Sequence, residues 1–267
     1  MSAKDDAKAL VDQFSAGPDA DVWPNIAKSD LIEPMKARID NPDKINQSQT
    51  NLCGPADFVR DLVTDRPVDY VNAIISLYLT GRAKIKDLNL KPCSDLKTHK
   101  LATTNPIAPV DWIFLASIRD SDNWVVDYQS TDDATSAVTL PHSKEKWLKD
   151  AGYTDVKNEA NILFTKDLKN AREASALFSK GYKVALLIDA DMLENDQQKV
   201  DSGSAYPDHW IALKSVITIT GIEADPISAV SFEAYTWGST RKVPCAGLKM
   251  YVKPFLRKYY GYVAAKM

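Results

Sequence analysis

Residues 46–56 have the sequence Asn-Gln-Ser-Gln-Thr-Asn-Leu-Cys-Gly-Pro-Ala, with the cysteine at position 53. Pro55 suits the first turn of a helix. Apolar residues follow at the three- and four-residue spacing of a helix, at Ala56, Phe58, Val59, Leu62 and Val63. We therefore expect a helix that begins at Cys53. The N–H groups and dipole of a helix N-terminus lower the pKa of a thiol, so the pattern indicates a nucleophilic cysteine.

Two glutamines lie shortly before this cysteine in the sequence. Gln47 lies six residues before Cys53, and its side-chain amide can donate to the oxygen that becomes negative when a thiolate attacks a carbonyl. Gln49, four residues before the cysteine, is the alternative donor. We expect Gln47 to be the oxyanion donor.

A thiol nucleophile needs a base, and the chain has three histidines. His209 precedes the apolar run Trp210–Leu213 after a polar loop, which predicts a strand that begins at the imidazole. A rigid strand is a suitable support for a general base. His99 lies in a predicted exposed loop and His142 before a predicted helix, so His209 is the expected base.

The candidate residues lie in short motifs, and the order of these motifs along the chain is informative. Gln47, Cys53-Gly54-Pro55-Ala56, His209-Trp210 and Tyr235-Thr236-Trp237-Gly238 follow one another along the chain. The set resembles papain-fold cysteine peptidases, particularly the bacterial leader-peptidase-like branch. The resemblance extends from Gln47 to Gly238. It implies a papain-like fold and a Cys-His mechanism through an acyl-enzyme.

One position departs from that family. Papain-like enzymes have an asparagine two residues before the tryptophan, where it orients the histidine, and this chain has Tyr235 there. If residues 231–237 form a strand, Glu233 and Tyr235 lie on one face and either can contact His209. A Cys-His pair without a third member is the remaining alternative. Asp208 is expected to point elsewhere.

The order of predicted elements indicates an α+β fold. Residues 1–45 are predicted to be a polar N-terminal extension with short helices near 8–14 and 32–38, whose apolar content indicates that they pack on the domain rather than fold alone. Residues 46–267 are predicted to be a papain-like cysteine hydrolase domain. Its helices come first, including one that ends at Gly81. Its strands come later, and the predicted neighbours 209–220 and 229–236 form an antiparallel sheet that carries the histidine and packs against the cysteine's helix.

Composition excludes several classes of protein. The 267 residues have a net charge of −3, which provides no basic field for nucleic acid. The cysteines at 53, 93 and 245 form no Cys-x-x-Cys pair, so we expect neither a metal nor a disulfide framework. Amide hydrolysis by a thiolate needs no cofactor. The polar N-terminus does not resemble a signal peptide and no apolar run is long enough to span a membrane. We expect a protein that is cytoplasmic, or secreted without a cleaved signal.

The residues favour an amide hydrolase that acts on a protein or peptide, and related chemistries share the same site. An amine in place of water would make it a transamidase, a glutamine side chain as substrate would make it a deamidase, and a cell-wall peptide would make it a peptidoglycan amidase. Tyr235 in place of asparagine suggests another alternative, a peptide-binding module without catalysis. Papain-fold bacterial proteins without signal peptides are often toxins or effectors. The resemblance therefore allows a toxin, with an immunity or inhibitor protein as its partner.

Overall fold

A computed structural model describes the chain in five stretches. They are residues 2–104, 106–122, 138–202, 205–221 and 225–267. Within them, the chain forms two compact units. The first unit contains the residues up to 122 together with Asp150–Gly152, and the second contains the other described residues from 138 onward. Helices and antiparallel strands together confirm a mixed α/β protein.

The first unit is mainly helical. Its elements are α1 (Ala3–Ala16), α2 (Ser29–Asp40), a 3-10 turn (Pro42–Lys44), α3 (Cys53–Asp65), α4 (Pro67–Thr80), β1 (Ala83–Ile85), β2 (Leu88–Leu90), α5 (Ser94–Thr98) and α6 (Pro109–Ser121). Helix α3 begins at Cys53, as the sequence predicts. Helix α4 ends at Gly81, whose φ of 69° is in the left-handed region that favours glycine. Helices α4 and α6 both pack against α3.

Residues 1–45 contribute to the core of this unit. Helix α1 is amphipathic and buries Val11 and Phe14, while α2 buries Leu31 and Met35. Helix α1 packs on α2 and α4, and α2 packs on α6. Residues 2–45 therefore belong to the first compact unit, and the boundary at residue 45 stays a prediction.

The second unit is built around an antiparallel sheet. Its elements are α7 (Pro141–Asp150, whose last residue belongs to the first unit), β3 (Thr154–Asn158), α8 (Leu168–Ser179), β4 (Lys183–Ile188), a 3-10 turn (Ala190–Leu193), α9 (Gln197–Asp201), β5 (His209–Leu213), β6 (Thr218–Thr220), β7 (Ala229–Thr236), β8 (Ser239–Val243), α10 (Val252–Lys258) and β9 (Tyr259–Lys266). In the described part of the chain, the strand order is β3-β9-β4-β5-β7-β6, and β8 also pairs with β7. The predicted antiparallel pairing of the 209 and 229 strands is confirmed, but the predicted single strand 209–220 is two strands, β5 and β6, that both pair with β7. Strand β5 begins at His209.

The loop after β3 lies close against β9. The backbone N–H groups of Glu159 and Asn161 donate to the carbonyls of Tyr262 and Tyr260, at 2.9 and 2.8 Å. Between these two carbonyls lies Gly261, with a φ of +104°. A Cβ atom at this position would lie 2.2 Å from the carbonyl oxygen of Glu159. Only glycine therefore allows the loop to approach β9 this closely.

Substitution of Gly261 by alanine should strongly destabilise the second unit, because the new methyl group meets backbone that cannot yield without breaking two hydrogen bonds. Gly181→Ala is the matched control, since Gly181 also has a positive φ (+83°) but no atom within 4 Å of the added Cβ. We expect the control to lose about 1–2 kcal/mol of unfolding free energy, and Gly261→Ala to lose about 3 kcal/mol or more. Urea unfolding followed by circular dichroism measures both. Equal losses would contradict the close approach.

Candidate functional site

The first unit holds Cys53 at the positive end of a helix dipole. Cys53 is the first residue of the 13-residue helix α3, and the preceding Leu52 provides no side-chain cap. The N–H of Ala56 donates to the carbonyl of Leu52 at 2.8 Å and closes the first turn. The thiol is buried, with 4% of the residue exposed. The dipole of α3 stabilises a thiolate at this position.

The loop before α3 is a tight turn that bonds to itself. The Nε2 group of Gln47 donates to the carbonyl of Thr50 at 2.9 Å. In return, the N–H and Oγ1–H of Thr50 donate to the carbonyl of Gln47, at 3.2 and 2.7 Å. Gln47 is buried, whereas Gln49 is exposed. The Gln47 amide has a second N–H besides the one that binds Thr50, so it can still serve as a donor.

The second unit holds His209 between two neighbours. His209 is the first residue of β5, pairs with Ile188 of β4, and is 4% exposed. Its Nε2 atom lies 2.7 Å from Oγ1 of Thr236. Its ring stacks on the indole of Trp237, with centroids 4.6 Å apart and planes at 21°. The stacking on Trp237 fixes the plane of the imidazole, and the hydrogen bond to Thr236 fixes the direction of its Nε2 atom.

The pairing of β5 with β7 explains why Thr236 is the partner. Ala212 lies opposite Tyr235 in this antiparallel pair, and residues opposite each other point to the same face. Because faces alternate along a strand, Tyr235 and Glu233 share the face of Ala212, while His209 and Thr236 share the other face. The sequence analysis expects Glu233 or Tyr235 to contact the imidazole, and the partner of Nε2 in the structure is Thr236. Catalytic roles for Glu233 and Tyr235 stay predictions.

Trp237 reaches the imidazole from a strained turn. Thr236 of β7 pairs with Ser239 of β8, so Trp237 and Gly238 form a two-residue hairpin loop. Both have positive φ angles, +46° and +76°, as in a type I′ turn, where asparagine and glycine are usual. A bulky residue with positive φ costs about 1–2 kcal/mol. The turn therefore holds the indole on His209 at the expense of backbone strain, and the guanidinium carbon of Arg241 lies 5.0 Å from the indole centroid.

Burial decides the protonation state of His209. It lowers the pKa of the imidazole to about 3, and the nearby Arg241 charge acts in the same direction. The neighbouring Asp208 points elsewhere, as expected, and its Oδ1 accepts from the N–H of Ala190 at 2.8 Å. Burial also raises the pKa of Asp208 to about 6, helped by the charges of Asp189 and Asp191. Near neutral pH the imidazole is therefore neutral, and burial opposes its protonation.

Three residues beside His209, which together with it form the histidine half-site, were not identified from the sequence as functional candidates. Thr236 is the hydrogen-bond partner, Trp237 the stacking partner, and Arg241 the cation beside the indole. The Thr-Trp-Gly signal was visible in the sequence, but the face of each residue was not. Hairpin pairing of β7 with β8 also brings Arg241, four residues after Trp237, back to the turn.

Among the residues that the structure describes, no group of three or more histidine, cysteine, aspartate or glutamate side chains could hold a metal ion. Cys53, Cys93 and Cys245 are all thiols rather than disulfides. No helix in the described part of the chain is long and apolar enough to cross a membrane.

Comparison with known proteins gives no match to a family model, a curated protein or a solved structure. The order of the motifs and the geometry within each unit are therefore the basis for a proposed function. In the first unit, that geometry joins Gln47 to the helix start at Cys53. In the second, it joins His209 to Thr236 and Trp237.

The low pKa of His209 predicts a specific acid destabilisation. The imidazole has a pKa of about 3 in the folded protein, against 6.5 normally, so the unfolded chain takes up the proton more readily. The stability due to neutral His209 is complete above pH 6.5 and is lost as the pH falls toward 3. The limiting slope is about 1.4 kcal/mol per pH unit.

Unfolding free energies of the wild type and His209→Gln, measured from pH 7 to pH 4, should test this slope. The glutamine does not titrate, and Asp208 is common to both proteins. We expect the difference between the two proteins to change by about 1 kcal/mol per pH unit below pH 6. If the two curves of unfolding free energy against pH are parallel, the description of His209 as a buried, neutral imidazole is wrong.

Proposed function

We propose that this chain is a papain-like, thiol-dependent amide hydrolase that acts on a protein or peptide. Cys53 attacks the carbonyl carbon, and His209 accepts the thiol proton and then passes it to the leaving amine. The Gln47 amide and the backbone N–H of Cys53 bind the oxyanion. Water activated by His209 then releases the acyl group and restores the thiol.

The observation that carries this proposal is the hydrogen bond between His209 Nε2 and Thr236 Oγ1, at 2.7 Å. When the hydroxyl accepts this bond, the ring proton lies on Nε2 and the lone pair on Nδ1. Nδ1 is then the atom that receives the thiol proton. Thr236 thereby has the orienting role that the resemblance assigns to an asparagine, from the position next to the tryptophan rather than two residues before it.

The first unit supports the other half of the proposal. A cysteine at the start of a 13-residue helix has its thiolate favoured by the dipole. The buried Gln47 lies in the turn that leads directly into this helix and retains a donor. Nucleophile and oxyanion donor thus belong to one continuous, hydrogen-bonded segment, as a preorganised site requires.

One observation favours a second candidate function, a peptide-binding module without turnover. Burial lowers the pKa of His209 to about 3, and a ring that resists protonation does not by itself sustain an imidazolium–thiolate pair. In an active enzyme, a thiolate close to the ring would raise this pKa again. The two functions therefore differ in the ionisation of Cys53.

The rate of Cys53 alkylation by iodoacetamide, followed by mass spectrometry from pH 4 to pH 10, distinguishes them. The midpoint of the rate against pH reports the pKa of the thiol in its environment, while limited access of the reagent to the buried thiol lowers the plateau rate. For the enzyme, we expect a midpoint at least about two pH units below that of an ordinary thiol near 8.5. His209→Gln should restore an ordinary midpoint.

Matched variants of Thr236 sharpen this experiment. Thr236→Val keeps the shape of the side chain but removes the hydroxyl, so we expect a shift of the midpoint toward 8.5. Thr236→Ser keeps the hydroxyl and should retain the low value. An ordinary midpoint for Cys53 in the wild type would reject the hydrolase and favour the binding module. Cys93 and Cys245 are measured in the same sample as internal references.

A further inference from the structure

A buried ion pair of the first unit joins α2 to α6. Nε of Arg38 donates to Oδ1 of Asp111 at 2.7 Å, and Nη2 donates to Oδ2 at 2.5 Å. The side chains are 9% and 0% exposed. Tyr70 is close enough that the charges of Arg38 and Asp111 both affect the pKa of its phenol. The guanidinium and the carboxylate thus meet in the bidentate geometry that fixes both side chains.

The carboxylate has a third bond, and this one leads to the candidate site. The backbone N–H of Asn46 donates to Oδ2 of Asp111 at 3.1 Å. Asn46 directly precedes Gln47, and its own Oδ1 accepts from the N–H of Ser48 at 2.8 Å. Asp111 therefore holds the first residue of the turn that contains the oxyanion donor.

Stability alone is a poor explanation for this pair. Removing two charges from water is costly, and apolar residues of similar volume often replace a buried ion pair without loss of stability. Burial raises the pKa of Asp111, and the contacts with Arg38 and Asn46 oppose that shift. An apolar pair, however, could not accept the N–H of Asn46. The feature specific to the charged pair is a fixed acceptor for the loop.

We propose that Asp111, held by Arg38, is a positioning residue for the oxyanion donor Gln47. This inference rests on the proposed hydrolase function. The carboxylate fixes the backbone of Asn46, and the turn from Gln47 to Thr50 then fixes the side-chain amide. Loss of the carboxylate leaves the thiol of Cys53 in place on α3 but lets the Gln47 amide move away from the developing oxyanion.

Two probes separate these effects in the full-length protein. Iodoacetamide alkylates Cys53 without forming an oxyanion. N-acetylglycinal labelled with ¹³C at the aldehyde reacts reversibly: the thiol adds across the C=O bond, a C–S bond forms, and the oxygen takes the proton, without a leaving group. The resulting hemithioacetal has its oxygen where the oxyanion forms. Its affinity, measured by ¹³C NMR, reports the donor.

The test variant is Arg38→Met combined with Asp111→Leu, which replaces the pair by apolar side chains. We expect the aldehyde to bind at least about tenfold more weakly, a smaller effect than complete loss of an oxyanion donor, while the pH midpoint of Cys53 alkylation is unchanged. Gln47→Ala should show the same pattern. Combining all three substitutions should add no further loss to Gln47→Ala, because the pair acts through Gln47.

Trp23→Phe is the control for general loosening of the unit. It removes a buried hydrogen bond from Trp23 Nε1 to the carbonyl of Leu77, at 2.8 Å, and should leave aldehyde affinity unchanged. Where the apolar double variant does not fold, Asp111→Asn is measured in the same cycle with Gln47→Ala.

The outcomes distinguish this inference from the proposed function. Losses that add to that of Gln47→Ala, an unchanged affinity in the Asp111 variants, or an equal loss in Trp23→Phe would overturn the positioning role alone. Failure of the wild type to form the hemithioacetal would overturn the hydrolase and this inference with it. Non-additive loss with an unchanged alkylation midpoint supports both.

Discussion

The antiparallel register of β5 on β7 is the constraint on which the histidine half-site depends. Because Ala212 lies opposite Tyr235, His209 shares a face with Thr236 and lies beside the hairpin loop that carries Trp237. The hydrogen bond, the ring stacking and the burial of the imidazole all follow from this register. A shift of β5 by one residue relative to β7 would turn His209 to the other face of the sheet, away from Thr236.

In the first unit, a loop rather than a sheet fixes the position of the candidate side chain, Gln47. The turn before Cys53 is fixed within itself by Gln47 and Thr50, and at its start by Asp111. A loop carries its own backbone donors and acceptors, and these must be satisfied wherever it is buried. In this protein, the same bonds that satisfy the loop also set the direction of the Gln47 side chain. The hydrogen bonds that stabilise the turn therefore also position the Gln47 amide.

Local pattern was enough to predict the elements, but not the contacts between distant residues. Helical spacing correctly placed the start of α3 at Cys53, and a polar-to-apolar transition placed the start of β5 at His209. The partner of the imidazole depends on which face of β7 meets β5, and alternation alone does not fix that. The bond from Asp111 to Asn46 joins residues 65 positions apart, so no local pattern reveals it.

The central proposal is that Cys53 and His209 act together on one substrate bond, and a thiol crosslink tests it most directly. His209→Cys is made in a background in which Cys93 and Cys245 are serine, and the protein is treated with dibromobimane, which fluoresces only after bridging two nearby thiols. The account predicts rapid fluorescence for this variant and little for Ala212→Cys, whose side chain lies on the opposite face of β5. Equal signals, or no bridge from position 209 to Cys53 by mass spectrometry, would contradict it.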